Sequence, residues 1–439
     1  MVHTFAYKNR YFALDVESGS LHVTDGEAYE RIRTLAKADL RGDAAASLLS
    51  EDELDCEIRE LIRGGLLFAP EGEDARGTQS VIKAACLHLA HDCDLRCDYC
   101  FAKCGAFEGK REHMSEDTAR KAIDFIIRAS GKRRNLEVDF FGGEPLLNFE
   151  VLKETVEYAR SVEKERGKNI RFTVTTNGYH LTGGMKEYLN KNMHNIVVSI
   201  DGRPHVHDAV RKTPEGHGSY KRVARNAKEL LLGRGGEYYV RGTFTADNLD
   251  FSKDALHLAD MGFKGVSLEP VVTRGKRAIL PEHLGAVFAE YEKLAEEYVK
   301  RRAEGRGFTF FHFMVDLTGG PCVKKRVRGC GAGTEYIAVA PSGGIYPCHQ
   351  FVGKPEYLMG SVYGGGLDDG IAEMFAKCDI YSIESCRRCW AKYYCSAGCA
   401  AANLNMNGDI MKPYETGCEM QKKRLEIAFA IAAEEMEDI

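Results

Sequence analysis

Between residues 81 and 310, short apolar runs alternate with amphipathic stretches, the rhythm of βα units that build a parallel sheet. Six strands are predicted: Val81 to Leu89, Glu137 to Phe141, Arg171 to Thr175, Asn195 to Ile200, Tyr238 to Thr245 and Val266 to Pro270. Helical periodicity begins near Ser115, Phe149, Thr182, Ser219, Phe251 and Pro281. Six repeats predict an α/β fold of the partial (β/α)6, TIM-like barrel kind rather than a closed eight-stranded barrel.

Residues 1–80 follow another pattern. The run Tyr11-Phe-Ala-Leu-Asp-Val16, a turn at Glu17 to Ser20 and Leu21-His-Val-Thr24 predict a hairpin, with a helix from about Asp25. Leu54, Ile58, Leu61 and Ile62 mark a second helix that stops at Gly64-Gly65, and Leu66-Leu-Phe68 reads as a wing strand. Together these suggest a winged helix-turn-helix unit, with Glu71 to Gln79 as a polar linker. Residues 311–439 are rich in Gly and Cys with little periodicity, so metal clusters are expected to replace a conventional core there, with helix resuming at about Glu419.

The 439 residues are enough for two or three domains. The net charge of −5 offers no positive field for nucleic acid or anionic membrane. The first ten residues carry charges and no signal-peptide core, and Ile427 to Ala433 is far too short to span a bilayer, so a soluble cytoplasmic protein is expected. Fifteen cysteines change the picture most: four crowd into residues 93–104, nine fall between 322 and 418, and residues 105–321 hold none. In a reducing compartment such clustering points to metal or cluster ligation rather than disulfides.

Cys93-Asp-Leu-Arg-Cys97-Asp-Tyr99-Cys100 follows the first predicted strand, at the end of the barrel where parallel α/β folds place active sites. Three thiolates can ligate three irons of a 4Fe-4S cube and leave the fourth open. A zinc knuckle from Cys97 and Cys100 is the alternative. Cys104, if it filled the fourth position, would close the open iron; otherwise it is a spare thiol nearby. The CxxxCxxC spacing resembles the signature of radical S-adenosylmethionine (SAM) enzymes. The resemblance implies that Cys93, Cys97 and Cys100 are the catalytic cluster ligands, that SAM binds the open iron, and that reductive cleavage yields a 5'-deoxyadenosyl radical. It also implies an electron donor such as flavodoxin or ferredoxin.

Further SAM-like segments stand at later strand ends. Gly142-Gly143-Glu144-Pro145, a plain turn signal by itself, matches the segment that meets the methionine amino group in radical SAM proteins. Thr175, Asn177, Ser199 and Asp201 offer small polar groups for the ribose and carboxylate. Arg211 reads as a carboxylate counter-ion or as an ordinary surface arginine.

Cys330, Gly343-x4-Cys348, Cys386-x2-Cys389-x5-Cys395-x3-Cys399 and Cys418 resemble the SPASM pattern, which binds two auxiliary 4Fe-4S clusters, three clusters in all; two zinc sites are the alternative. The resemblance implies one cluster on Cys386, Cys389, Cys395 and Cys418. It implies a nearer one on Cys330, Cys348 and Cys399, with Cys322 as its fourth ligand or with an open iron for a substrate thiolate. Cys378 has no assigned role, and Cys56 and Cys86 read as small core residues.

The segment Ala13 to Asp25 and the helix from Glu27 resemble the leader-peptide recognition unit of maturases of SCIFF peptides, precursors with six cysteines in forty-five residues. That resemblance implies domains at 1–80 (leader recognition), 81–310 (barrel) and 311–439 (SPASM). It implies a ribosomal precursor peptide with a leader as partner, and cysteine thioether cross-links, of the sactipeptide or ranthipeptide kind, as product. A formylglycine-forming sulfatase-type maturase and a carbon-carbon peptide cyclase are the enzymatic alternatives. A DNA-binding redox regulator is the non-enzymatic one, weakened by the acidic segment Ser50 to Glu60, since a groove-reading helix carries Lys or Arg.

Overall fold

The computed structural model describes residues 1–437 apart from 39, 73, 75–80, 108, 318–326 and 365. Most of the predicted linker, residues 73 and 75–79, falls outside the described residues, as does Cys322. The N-terminal segment is a three-stranded antiparallel sheet, β1 (Val2–Tyr7), β2 (Arg10–Asp15) and β3 (Leu21–Thr24), in the order β1-β2-β3, followed by α1 (Gly26–Lys37), α2 (Asp43–Ala46) and α3 (Glu53–Arg63). The hairpin and both predicted helices are present; α1 and α3 start at Asp25 and Asp52, whose carboxylates accept the Ala28 and Asp55 amides. The wing strand is not. Leu67 and Phe68 are buried beside Ile32, Ile58 and Ile62, but Phe68 is left-handed at φ 51° and the segment pairs with no strand. Strand β1, absent from the sequence reading, supplies the third strand instead.

The main sheet begins with β4 (Ala84–Ala90), β5 (Arg96–Cys97) being a short strand outside it. Then α4 (Glu116–Ala129), β6 (Asn135–Gly142), α5 (Phe149–Glu163), β7 (Asn169–Thr176), α6 (Gly183–Asn192) and β8 (Asn195–Ser199) follow as βα units. After α7 (Pro204–Val210), β9 (Arg211–Lys212) and α8 (Tyr220–Leu231) come β10 (Glu237–Phe244), α9 (Ser252–Asp260), β11 (Gly265–Pro270), α10 (Leu284–Ala303) and β12 (Thr309–Phe310). All six predicted strands and all six helix starts are found. Strands β4, β6, β7, β8, β10, β11 and β12 pair in parallel, in that order. Leu87, Val138, Phe172, Val198 and Leu268 face the helices, where Ile123, Leu152, Leu230 and Leu294 complete one fully buried core.

The alternate positions are polar. Register aligns Cys86 with Asp139, Asp139 with Thr173, Ser199 with Arg241 and Thr243 with Glu269, so these side chains share the opposite, concave face. The apolar face holds the fold together, and the polar face is left for chemistry.

The C-terminal segment has regular structure of its own, where little was expected. β13 (Tyr336–Val339) joins the free edge of β4 in parallel, and β14 (Gly344–Tyr346) and β15 (Gly360–Ser361) extend the sheet antiparallel, making it mixed and ten-stranded. Four short helices follow, α11 (Asp369–Ala376), α12 (Glu384–Arg387), α13 (Lys392–Cys395) and α14 (Ala400–Asn407). The last helix, α15 (Glu415–Glu437), starts four residues before the predicted point. Among the described residues no helix is long and apolar enough to cross a membrane.

Candidate active site

The cysteine loop leaves β4 at Ala90 and is held by β6, which runs on past the end of the pairing. Gly143 donates its amide to Ala90 O at 2.8 Å and Glu144 donates to Asp92 O at 2.8 Å. A Cβ on Gly142 would stand 2.4 Å from Ala90 O, and one on Gly143 would stand 2.2 Å from Asp92 O. The two glycines therefore permit close approach of the cysteine loop itself.

Glu144 is 1% exposed, and its carboxylate accepts from Leu146 N at 3.1 Å, Thr176 Oγ1 at 2.8 Å and Asn177 N at 2.7 Å. Burial, with Asp94 adding, pushes this carboxyl up to about 8 against those donors. Within the fold it caps the turn opened by Pro145 and ties the end of β6 to the end of β7.

Each of the three loop sulfurs receives a nitrogen donor. Leu95 N lies 3.4 Å and Asn177 Nδ2 3.6 Å from Cys93 Sγ, Arg211 Nη1 lies 4.0 Å from Cys97 Sγ, and Cys104 N lies 3.3 Å from Cys100 Sγ. Asn177 also donates to Asp94 Oδ1 at 2.7 Å, so one side chain steadies the loop at two points. Burial pushes the Cys93 thiol up and the Cys97 thiol up to about 12; Asp201, Cys100 and Cys104 add to the second and Arg211 opposes. Partly buried sulfurs gathered in one loop and approached by N–H donors suit an iron-sulfur cube, whose charge and potential such donors tune. Cys104 is left-handed at φ 56° and lies close enough to Cys97 and Cys100 to act on both charges.

Arg211 is mostly buried, its side chain 11% exposed, and it pairs with Asp201. Strands β5 and β9 pair Cys97 with Arg211, and the Arg211 Nε donates to Asp201 Oδ2 at 3.0 Å. Tyr99 OH donates to the same oxygen at 2.6 Å, and Thr243 N to Asp201 Oδ1 at 3.0 Å. Asp201 is thus the knot joining the loop to β8, β9 and β10. Thr175 and Ser199 stand half-buried near the ends of β7 and β8, with Thr175 Oγ1 3.5 Å from Asp139.

Sequence reasoning passed over Asp139, Arg241 and Glu269 on the polar face, though a charged residue alternating with buried apolar ones, as Asp139 does between Val138 and Phe140, is their signal. Burial pushes the Asp139 carboxyl up to about 7, with Thr175 and Arg241 opposing. Glu269 is approached by His312 at 3.3 Å and by Arg241 and Arg424 at 3.8 Å. His88 and His91, 3.1 Å apart, are packed against Phe107 and held neutral by burial.

The C-terminal thiols fall together in space. A cavity of about 710 Å³ is lined by Cys386, Cys389, Cys395, Cys399 and Cys418, with Glu269 and Arg424 on its wall. Burial first, and then one another's charge, push Cys386 up to about 12 and Cys418 up to about 11. Burial likewise raises Cys330 and Cys348, each with Cys399 beside it. Such mutually adjacent thiols favour a shared cation that stabilises their anionic forms. Among the described residues no three His, Cys, Asp or Glu close on a single-ion position. Cys378 instead packs against Met411, Cys86 is fully buried, and Cys56 is exposed rather than in the core.

Sequence and structural relatives agree with this geometry. A family model described as a 4Fe-4S single cluster domain matches residues 77–224. The radical SAM cyclopropyl synthase TigE of Paramaledivibacter caminithermalis is 23% identical, the match covering 92% of this chain and 89% of that protein. A serine-type anaerobic sulfatase-maturating enzyme of Bacteroides thetaiotaomicron is 25% identical over 72% of this chain and 82% of its own length. The structure of anSMEcpe with bound AdoMet superposes with a TM-score of 0.69 at 18% identity, covering 82% of this chain and 96% of that one. SuiB of Streptococcus suis, bound to its precursor peptide SuiA, superposes with a TM-score of 0.52 at 16% identity over 92% and 96% of the two chains. The strand order, the cysteine loop at the end of β4 and these likenesses together give the chain the radical SAM fold, and its sequence is similar to those of a radical SAM cyclopropyl synthase and of anaerobic sulfatase-maturating enzymes.

Proposed function

We propose that this chain is a radical SAM maturase that binds a ribosomally made, cysteine-rich precursor peptide by its leader and joins cysteine sulfurs to acceptor-residue carbons. The observation that carries the reading is β3. It is an outer strand of the N-terminal sheet, and an extended leader can pair with such an edge through backbone hydrogen bonds. The binding of a precursor peptide by SuiB, a relative in fold, supports the same role.

Cys93, Cys97 and Cys100 would hold the cluster that binds SAM, and the two C-terminal thiol groups would hold two more. When bound, cluster and SAM supply a 5'-deoxyadenosyl radical that removes a hydrogen atom from the substrate. The chain's own residues do the rest. Asn177, Leu95 and Cys104 amides donate to the loop sulfurs, Asp201 fixes Tyr99 and Arg211 against the loop, and the concave polar face receives the peptide.

A second reading, formylglycine formation on a sulfatase, is favoured by the likeness to sulfatase-maturating enzymes. Product chemistry separates the two. Incubated anaerobically with SAM and reductant, a leader-bearing peptide should lose two hydrogens per cross-link together with one alkylatable thiol. An aldehyde in place of a cysteine or serine would decide for the second reading. The variant carrying Cys93→Ala, Cys97→Ala and Cys100→Ala should form no 5'-deoxyadenosine and fall from about twelve irons per chain to about eight.

A further inference from the structure

The segment between two of the cavity thiols is also the seat of the N-terminal sheet. Cys389 and Cys395 bracket Trp390, Ala391, Lys392, Tyr393 and Tyr394. The Trp390 ring stacks on His3 of β1 with centroids 3.8 Å apart and planes 3° from parallel. Ala391 and Tyr393, each 1% exposed, pack with Phe5, Phe12, Leu14 and Val16 from the face of the sheet turned toward them. Lys392 Nζ donates to Glu17 Oε1 at 2.7 Å and Tyr393 OH donates to Glu17 Oε2 at 2.9 Å. Both charges are buried, with side-chain exposures of 2% for Lys392 and 4% for Glu17. Breaking such a pair from one side is costly, because it leaves the other charge buried with only a longer contact at 3.8 Å, Lys392 to Glu71 or Glu17 to Arg41.

That seat cannot set its own shape. Its only regular element, α13, is one turn, and a helix nucleus so short is unfavourable without outside support. The two residues after it, Ser396 and Ala397, are both left-handed, at φ 61° and 67°, a conformation that persists only where the surroundings impose it. Beyond its packing on the sheet, the seat is bracketed by thiols: Cys386 and Cys389 lie before it, Cys395 closes it, and Cys418 reaches the same cavity from α15.

We propose that the four-thiol site of Cys386, Cys389, Cys395 and Cys418 has a second function as a clamp: when filled by an iron-sulfur cluster it fixes the Trp390–Tyr394 seat and so docks the N-terminal peptide-binding sheet. The proposal rests on the reading above that these cysteines hold a cluster. An empty site leaves the seat free to relax, the Lys392–Glu17 pair opens, and the sheet that carries the leader undocks.

Cys418→Ser tests this, because Cys418 lies outside the seat, and the direct contact of its helix with Trp390 and Tyr394, through Phe429 further along α15, is left in place. Trp390 is the sole tryptophan, so the emission maximum of the anaerobically reconstituted full-length chain reports on the seat. The variant should lose about four irons. Its tryptophan emission should shift to the red, and hydrogen exchange across Val2–Asp15 and residues 386–397 should quicken by about tenfold or more, while β6 and β7 keep their protection as a control for folding. Glu17→Gln should give the same shift and the same N-terminal exchange with its iron retained. Loss of iron with unchanged emission and exchange would overturn the clamp and leave the cluster reading standing. Retention of all iron in Cys418→Ser would overturn the ligand assignment, and the clamp with it.

Discussion

Gly143→Ala is the sharpest test of how the active site is held. The added Cβ would lie 2.2 Å from Asp92 O and 2.7 Å from Gly105 Cα, where ordinary contact begins at 3.4 Å. Both obstacles are backbone, so no side chain can swing aside, and the cysteine loop must move away from β6. That movement breaks two amide hydrogen bonds, Gly143 N to Ala90 O and Glu144 N to Asp92 O. At about 1 kcal/mol each, with about 1–3 kcal/mol for overpacking, the substitution should cost about 3–5 kcal/mol, concentrated in the loop that carries Cys93. The assay is iron content after reconstitution together with 5'-deoxyadenosine yield. Gly184→Ala is the control, since nothing lies within 4 Å of its new Cβ and alanine suits the first turn of α6. Iron content and SAM cleavage equal to the parent's in Gly143→Ala would refute the claim that the glycine pair exists to admit the loop.

Asp201→Ala should destabilise the chain by about 3–5 kcal/mol in urea unfolding, because Arg211, its side chain 11% exposed, is left with a buried uncompensated charge; Asp201→Asn should cost less. The Asp139 carboxyl is pushed from 3.8 up to about 7, so the folded chain holds its proton more tightly than the unfolded one, and stability should fall as pH rises from about 4 through 7. Asp139→Asn should flatten that decline, and unfolding midpoints of parent and variant that stay parallel between pH 5 and 8 would count against it. Alkylation of the native chain should label exposed Cys56 rapidly and fully buried Cys86 only after denaturation, as peptide mass mapping would reveal.

The parts of the fold that local periodicity controls were legible. Alternating strands such as Leu136 to Phe141, and helix starts such as Ser115 and Thr182, carry their own instructions and stand where they were expected. The three-cysteine loop was readable because its ligand spacing is local too. What could not be read depends on partners distant in sequence. Nothing around Tyr336–Val339 announces that it will pair with β4, and nothing near Arg211 reveals that Asp201 will claim its charge. Leu66-Leu-Phe68 misled because an apolar trio satisfies the core equally well as a bend, once Phe68 turns left-handed.

The attachment of β13 to β4 has a consequence for electron movement. β4 runs into the loop of Cys93, and β13 turns into β14, which runs back toward Cys348, so both groups of thiols hang from one continuous sheet in the order β4-β13-β14. Metal centres seated there would exchange an electron over a path whose length is built into the backbone, as indifferent to domain motion as the spacing of rungs on a ladder.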